Sequence, residues 1–191
     1  MTGAMHRGAR RRVGAAIVIT SQDESLAEAS PTSTWRLDRG RLTPVSMAVA
    51  HPCDTESLRG ALLARDRGLI IPTLVGPEEK IRQIAEANAL DLHGCTLINV
   101  AHSHAAAEVA VSLAREGQVE ALMKGSLHTD ELMGEVIDKS TGLRTERRIS
   151  NVFLMDVPTY PRLLFITDAA VNVAPNLEDK IDIVQNAIDL A

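Results

Sequence analysis

Val119-Glu120-Ala121-Leu122-Met123-Lys124-Gly125-Ser126-Leu127-His128-Thr129-Asp130 is the stretch whose reading decides the fold. Residues 119 to 123 are short and largely apolar, the pattern of a parallel strand buried on both faces. Lys124-Gly125-Ser126 follows at once as a small-residue turn, and a helical pattern begins at His128 or Thr129. A strand, a tight turn and a helix N-terminus gather backbone N–H groups at the positive end of a dipole, which attracts anions. Lys124, Ser126, His128 and Thr129 add side-chain donors at that edge, and Arg144, Arg147 and Arg148 follow downstream. The residues predict a site for phosphate or a phosphorylated ligand. A plainer reading stands beside it, because Ser126 or Thr129 would serve equally well as an N-cap. Neither G-x-x-x-x-G-K-[ST] nor G-x-G-x-x-G occurs, so the turn is not one of the familiar nucleotide loops.

Upstream of this stretch the pattern is regular. Val45 to Ala50 reads as a strand, His51-Pro52-Cys53-Asp54 as a turn, and Asp54 as the N-cap of a helix stopped by Gly68. Ile70 to Val75 is the next strand, with Pro72 placing its early part near an edge or end. Gly76-Pro77-Glu78-Glu79 opens another helix, Leu97 to Val100 is a strand, and Ser103 to Glu116 is an alanine-rich helix ended by Gly117. Such alternation means a parallel sheet flanked by helices, with ligands gathering at the carboxyl ends of the strands. Downstream the rhythm changes. Ile149 to Val157 and Arg162 to Thr167 are strand-like runs around Pro158-Thr159-Tyr160-Pro161, an antiparallel pair with a proline-fixed turn. Asp156 reads as structural at that turn, and Asp168 ends the second strand near Asn172. Asn176 caps a final helix with Leu177, Ile181, Val184 and Ile188 along one face. Residues 1–43 differ from all of this: Val13 to Thr20 is a possible strand, and Ser21 to Arg41 reads as a loop or poorly ordered leader.

Composition narrows the function classes. The chain has 191 residues, 45% of them hydrophobic but only 2% aromatic, so its core must be aliphatic and alanine-rich. A net charge of −5 with scattered aromatics argues against a general nucleic-acid binder. No apolar run is long enough to span a membrane and no cleavable signal follows the basic start, which together predict a cytoplasmic protein. Cys53 and Cys95, far apart, fit reduced thiols. His102-x-His104 lacks companion ligands at a metal-binding spacing, so no metal is expected there.

Several motifs then carry a resemblance: the 124–130 turn, Gly142-Leu143-Arg144-Thr145, Arg147-Arg148-Ile149-Ser150, Val152-Phe153-Leu154-Met155-Asp156-Val157-Pro158-Thr159-Tyr160-Pro161, Leu164-Phe165-Ile166-Thr167-Asp168-Ala169-Ala170 and Leu177-Glu178-Asp179-Lys180. In this order they strongly resemble the phosphate acetyltransferase/phosphate butyryltransferase family, its butyryl-like branch above all, including the fusions with an enoyl-CoA hydratase domain. The resemblance runs from about Pro44 to Ala191. It implies an α/β fold like that of isocitrate and isopropylmalate dehydrogenases, with two subdomains and the active site in their cleft. On that division, 1–43 is a leader, 44–147 the first subdomain, and 148–191 the start of the second, which contains the antiparallel pair.

The reaction implied is acyl-CoA plus phosphate giving acyl phosphate plus CoA, by direct attack of phosphate on the thioester, with CoA and phosphate as substrates and no cofactor. Residue by residue, Ser126, His128 and Thr129 match the family's post-strand motif and would line the cleft. Arg144 and Arg148 would contact phosphate or the CoA phosphates, while Asp168 and Asn172 would orient groups across the cleft. The general base is unassigned, with His128 and Asp168 as candidates. A homodimer or larger oligomer is implied as well. Family members continue past the point matching Ala191, so the resemblance also implies a C-terminally truncated, weakly active or inactive form. Two other readings stay open: an NAD- and metal-dependent dehydrogenase of the 4-hydroxythreonine-4-phosphate type, and a non-catalytic module that binds CoA or phosphate or only dimerises.

Overall fold

A computed structural model describes residues 18–19, 36–38, 41–155 and 157–191. Its main sheet is parallel, in the order β1 (Val18–Ile19), β7 (Ala121–Lys124), β4 (Val45–Ala50), β5 (Ile70–Gly76), β6 (Thr96–Asn99). Successive side chains of a strand point to opposite faces, and here each face meets its own pair of helices. Met47, Val49, Leu74, Ala121 and Met123 pack on one side with Leu58, Ala61 and Leu62 of α1 (Thr55–Asp66) and Ile81 and Ala85 of α2 (Glu78–Ala87). Ala48, Ala50, Val75 and Leu122 pack on the other with Ala106, Ala107, Ala110 and Val111 of α3 (Ser103–Arg115) and Leu132 and Val136 of α4 (Thr129–Ile137). The second face is built largely of alanine, which lets α3 lie close to the strands. That is how a core with almost no aromatic residues is filled.

The helix boundaries follow from local chemistry. Asp54 caps α1 by accepting from the Ser57 amide at 2.7 Å, as its position before Glu56 suggested. Gly68 and Gly117 take φ of 69° and 71° where α1 and α3 stop. The cap of α3 is His102, whose Nδ1 accepts from the Ala105 amide. Pro72 is a finding of its own. β5 is an interior strand, yet β6 joins it only from Thr73 onward, so at Pro72 one side of the strand carries no ladder. The missing N–H of proline therefore costs no hydrogen bond there.

The second region holds β8 (Val152–Met155) and β9 (Leu164–Thr167), antiparallel with Phe153 opposite Ile166 and Leu154 opposite Phe165. The succession of two strands without a helix between them was readable as this pair. α5 (Leu177–Leu190) follows, with Asn176 and Asp179 forming a reciprocal capping box. Its expected apolar face exists but is bare. Leu177, Ile181, Val184 and Ile188 are 76%, 61%, 51% and 61% exposed, whereas Ile183 is buried.

The leader departs from expectation where it is described. Within the span read as a loop, β2 (Arg36–Asp38) pairs antiparallel with β3 (Arg41–Thr43), Asp38 opposite Arg41. A register that leaves two residues, Arg39 and Gly40, between the strands is the sequence signal of a hairpin. Of the possible strand at Val13 to Thr20, only Val18–Ile19 is described, running parallel to β7. Asp156 and the remainder of 1–43 lie outside the described residues.

Candidate active site

From β4 the chain steps to β5 and β6 on one side, then returns to place β7 on the other. The reversal makes the carboxyl ends of β4 and β7 the topological switch point, the place where open α/β sheets bind ligands. Two hydrogen bonds extend the ladder past the strands there. The Gly125 amide donates to the Ala50 carbonyl at 2.9 Å and the Ser126 amide to the His51 carbonyl at 2.8 Å. The approach is so close that a Cβ on residue 125 would lie 2.5 Å from the Ala50 oxygen and 2.6 Å from that of His51. Glycine in Lys124-Gly125-Ser126 is thus a requirement of backbone contact. His51 itself has φ of 53°, and its Nδ1 donates to the Ser126 carbonyl at 2.8 Å.

The side chains at this edge are arranged by the same contacts. Burial would raise the Asp54 carboxyl, but hydrogen bonds from Ser57 and from the Ser126 hydroxyl outweigh it and leave the group below its usual range. The expected contribution of Lys124 changes: its Nζ donates to the Leu127 carbonyl at 2.9 Å and that of Gly125 at 3.2 Å, holding the turn rather than reaching outward. Burial raises the Cys53 thiol above its ordinary value, with Lys80 opposing and Asp54 adding, which keeps it a thiol and a poor nucleophile. His128 and Thr129 stand exposed at the start of α4, and Ser126 is half-buried beneath them.

A second connection ties the neighbouring loop to this edge. Glu131 accepts from the Ser103 hydroxyl at 2.7 Å and from the His128 amide at 2.8 Å, and the His104 Nε2 lies 3.4 Å from it. These bonds, that of Ser103 foremost, hold its carboxyl below the usual range. Glu131 therefore joins the N-termini of α3 and α4. His102 and His104 are occupied in this way, and among the described residues no three His, Cys, Asp or Glu side chains are arranged to hold a metal.

The other candidates gather in the second region. The Arg148 Nε donates to the Asn172 Oδ1 at 2.7 Å, and its guanidinium lies 3.4 Å from Asp179. Asn172 in turn donates through Nδ2 to the Ile149 carbonyl and to Asp168. Asp168 also accepts from the amides of Val171 and Asn172. Burial pushes the Asp168 carboxyl up, but these donors, Asn172 first, bring it below the usual range. A carboxylate so fully satisfied is a weak base and a strong organiser of its turn. Arg144 is exposed and has no hydrogen bond or ion pair among the described residues. Ser126, His128 and Thr129 thus share one edge, and Arg148, Asp168 and Asn172 form one network. No hydrogen bond or ion pair among the described residues joins the two groups.

Sequence reasoning put 51–54 and 101–104 on the ligand edge but named none of His51, Asp54, Ser103 or Glu131 as a site residue. Asp54 was visible as a cap, and Glu131 sits three residues after His128 in the pattern of a capping box. Nothing in the sequence signalled that Ser103, 28 residues earlier, reaches the same carboxylate.

Residues 103–191 match the family model described as Phosphate acetyl/butaryl transferase, a span containing every candidate of both groups. A phosphate acetyltransferase of Rhizobium meliloti is 62% identical over 147 residues, 77% of this chain and 46% of that protein. A phosphate butyryltransferase of Clostridium acetobutylicum is 34% identical over 145 residues, 76% of this chain and 48% of the other. Identity is therefore higher to the protein bearing the acetyl name. The chain spans about half the length of the curated relatives it matches. In fold, it superposes on a branched-chain phosphotransacylase of Enterococcus faecalis with a TM-score of 0.57 at 22% identity, covering 76% of this chain and 50% of that one. The motifs and the sheet agree with these likenesses, and residues 103–191 match the phosphate acetyl/butyryl transferase family model.

Proposed function

We propose that the protein acts as a phosphate acyltransferase, with acyl-CoA and inorganic phosphate as substrates and no resident cofactor. The observation that carries this is the family match over 103–191, which contains the β7 side of the switch-point edge and the Arg148 network. In the reaction a phosphate oxygen attacks the thioester carbonyl carbon and CoA leaves as its thiol. Ser126, His128 and Thr129 supply donors at the start of α4, where the helix dipole favours the negative charge. Arg144, unengaged in the structure, contacts the phosphate or a CoA phosphate directly. Arg148 does so from a guanidinium already oriented by Asn172 and Asp179. Asp168 and Asn172 hold that arginine and its turn in place across the cleft between the 44–147 and 148–191 subdomains. No helix among the described residues is long and apolar enough to cross a membrane. A cytoplasmic setting belongs to the same proposal.

Calorimetric titration with phosphate and with CoA tests the binding half. A charge-assisted hydrogen bond to phosphate is worth about 1.5–3 kcal/mol, so Arg144→Ala should weaken affinity roughly 10- to 150-fold. Its melting temperature should stay unchanged, because the side chain holds nothing else. Arg148→Ala should lose comparable affinity and also melt earlier, since Asn172 and Asp179 are left without their partner. Parental affinity in both variants would remove the arginines from the site.

Association through the bare apolar surface is part of the same proposal. The α5 stripe and the exposed Phe153, Met155 and Ile166, which share one face of the β8–β9 pair, leave large apolar side chains in water, the kind of surface that favours association. Multi-angle light scattering should find a dimer or larger species, and Ile181→Lys should shift it toward monomer. A stable monomer at tens of micromolar would refute this.

A further inference from the structure

We infer that Asp138 is a positioning residue: it folds the segment after α4 so that Arg144 meets a phosphate group of the substrates from a fixed main chain. The inference rests on the phosphate acyltransferase reading and on the role given there to Arg144. Asp138 is poorly placed for the helix it follows. It caps the C-terminus of α4, the negative end of the dipole, where a cation is the favourable residue. What the carboxylate gains there is local. One oxygen, Oδ1, accepts from the Ser140 amide and hydroxyl, both at 2.7 Å, and from the Thr141 amide and hydroxyl at 2.8 and 2.9 Å. These donors, the Thr141 amide first, hold the carboxyl well below its usual range.

The turn so closed presses the chain back onto the helix. A Cβ on Gly142 would lie 2.6 Å from the carbonyl oxygens of Glu135, Val136 and Asp138, so only glycine fits that approach. The Leu143 amide then donates to the Val136 carbonyl at 2.9 Å, and its side chain packs, half-buried, against the alanine-lined core. On the other side of Arg144, the Thr145 hydroxyl accepts from the Arg147 amide at 3.2 Å.

Arg144 therefore stands between two anchored neighbours. Its own side chain is exposed and has no hydrogen bond or ion pair among the described residues. The other two arginines of the segment are oriented through their side chains, Arg147 by Asp189 and Arg148 by Asn172 and Asp179. Arg144 is oriented by its main chain alone, and Asp138 ties the turn that sets it. An arginine presented from ordered backbone gives up less freedom on binding than one carried by a loose loop.

The test measures, by calorimetry, the affinity of the 191-residue chain for inorganic phosphate and for CoA, with melting temperatures alongside. Arg144→Ala identifies whether phosphate, CoA or both present the group that Arg144 meets. Asp138→Ala should weaken the same ligand roughly two- to tenfold, the cost of ordering one loose arginine. Asp138→Asn should stay within about twofold of the parent, because its amide oxygen can accept the bonds that Oδ1 accepts now. Asp138→Ala combined with Arg144→Ala should bind no more weakly than Arg144→Ala alone, since the one acts through the other.

A role confined to stability would lower the melting temperature and leave affinity at the parental value. That result overturns the inference, as does full additivity in the double variant or an asparagine variant as weak as the alanine one. Should Asp138→Ala not fold, Ser140→Ala with Thr141→Val removes only the two hydroxyl donors and should still weaken that ligand; parental affinity there overturns the inference equally. Arg144→Ala at parental affinity, with Arg148→Ala weakened, takes the inference down and leaves the phosphate acyltransferase reading standing on Arg148. No saturable heat with either phosphate or CoA takes down both.

Discussion

Gly125→Ala is expected to disrupt both the sheet and the site, because the added methyl has nowhere to go. Its carbon would stand 2.5 Å from the Ala50 carbonyl oxygen and 2.6 Å from that of His51, and both are backbone atoms that cannot rotate aside. β4 and β7 would have to part at their carboxyl ends, breaking the Gly125–Ala50 and Ser126–His51 hydrogen bonds. Overpacking of this kind costs about 1–3 kcal/mol and each lost hydrogen bond about 0.5–1.5 more, so a loss of roughly 2–6 kcal/mol is expected. Urea denaturation followed by circular dichroism measures it, and phosphate affinity should fall in parallel. Gly134→Ala is the control. It lies inside α4 with nothing within 4 Å of its built Cβ, so it should be neutral or stabilise by up to about 1 kcal/mol. A Gly125→Ala protein with the parental urea midpoint would mean the two loops are not in contact as described.

Leu122→Ala should cost as much by the opposite route. The side chain is fully buried on β7, between the strand β4 and the alanine-lined surface of α3. Truncating a buried leucine costs about 2–5 kcal/mol, toward the upper end when the surroundings cannot close on the cavity. Here they close poorly. Ala106, Ala107 and Ala110 have no longer side chains to swing in, and the main chain of β7 is paired on both sides. Ile188→Ala, on the bare face of α5, should lie within about 0.5 kcal/mol of the parent. A loss below about 1 kcal/mol for Leu122→Ala would contradict the close packing of this face.

The parallel sheet was legible because its signals are local. Short apolar runs, Asp54 before a helix, and Gly68 and Gly117 after helices each act within a few residues, and all did what they indicated. The hairpin at 36–43 was missed because each strand is three residues long with one apolar residue, Leu37 or Leu42, too short a run to mark a period. The candidate site was legible only as an edge. Ser126, His128 and Thr129 were placed by the turn, but the Glu131–Ser103 bond and the His51–Ser126 bond join residues 28 and 75 positions apart. Pairings of that range depend on which strands become neighbours, and the switch between β4 and β7 is not written in either strand. Lys124 shows the converse. Its charge suggested an outward donor, yet two loop carbonyls within reach were the nearer partners.

The scarcity of aromatic rings in the core has an optical consequence. The 44–147 region contains no tryptophan, tyrosine or phenylalanine: Trp35 precedes it, while Phe153, Tyr160 and Phe165 belong to or adjoin the β8–β9 pair. Intrinsic fluorescence and near-ultraviolet dichroism therefore carry no signal originating within the parallel sheet. An emission change on heating reports the surroundings of Trp35 and Tyr160, and the two transitions coincide only if the regions unfold together. The same emptiness is an opportunity for labelling. A tryptophan placed at an exposed position near the switch point, such as Thr129, would emit alongside only one native tryptophan.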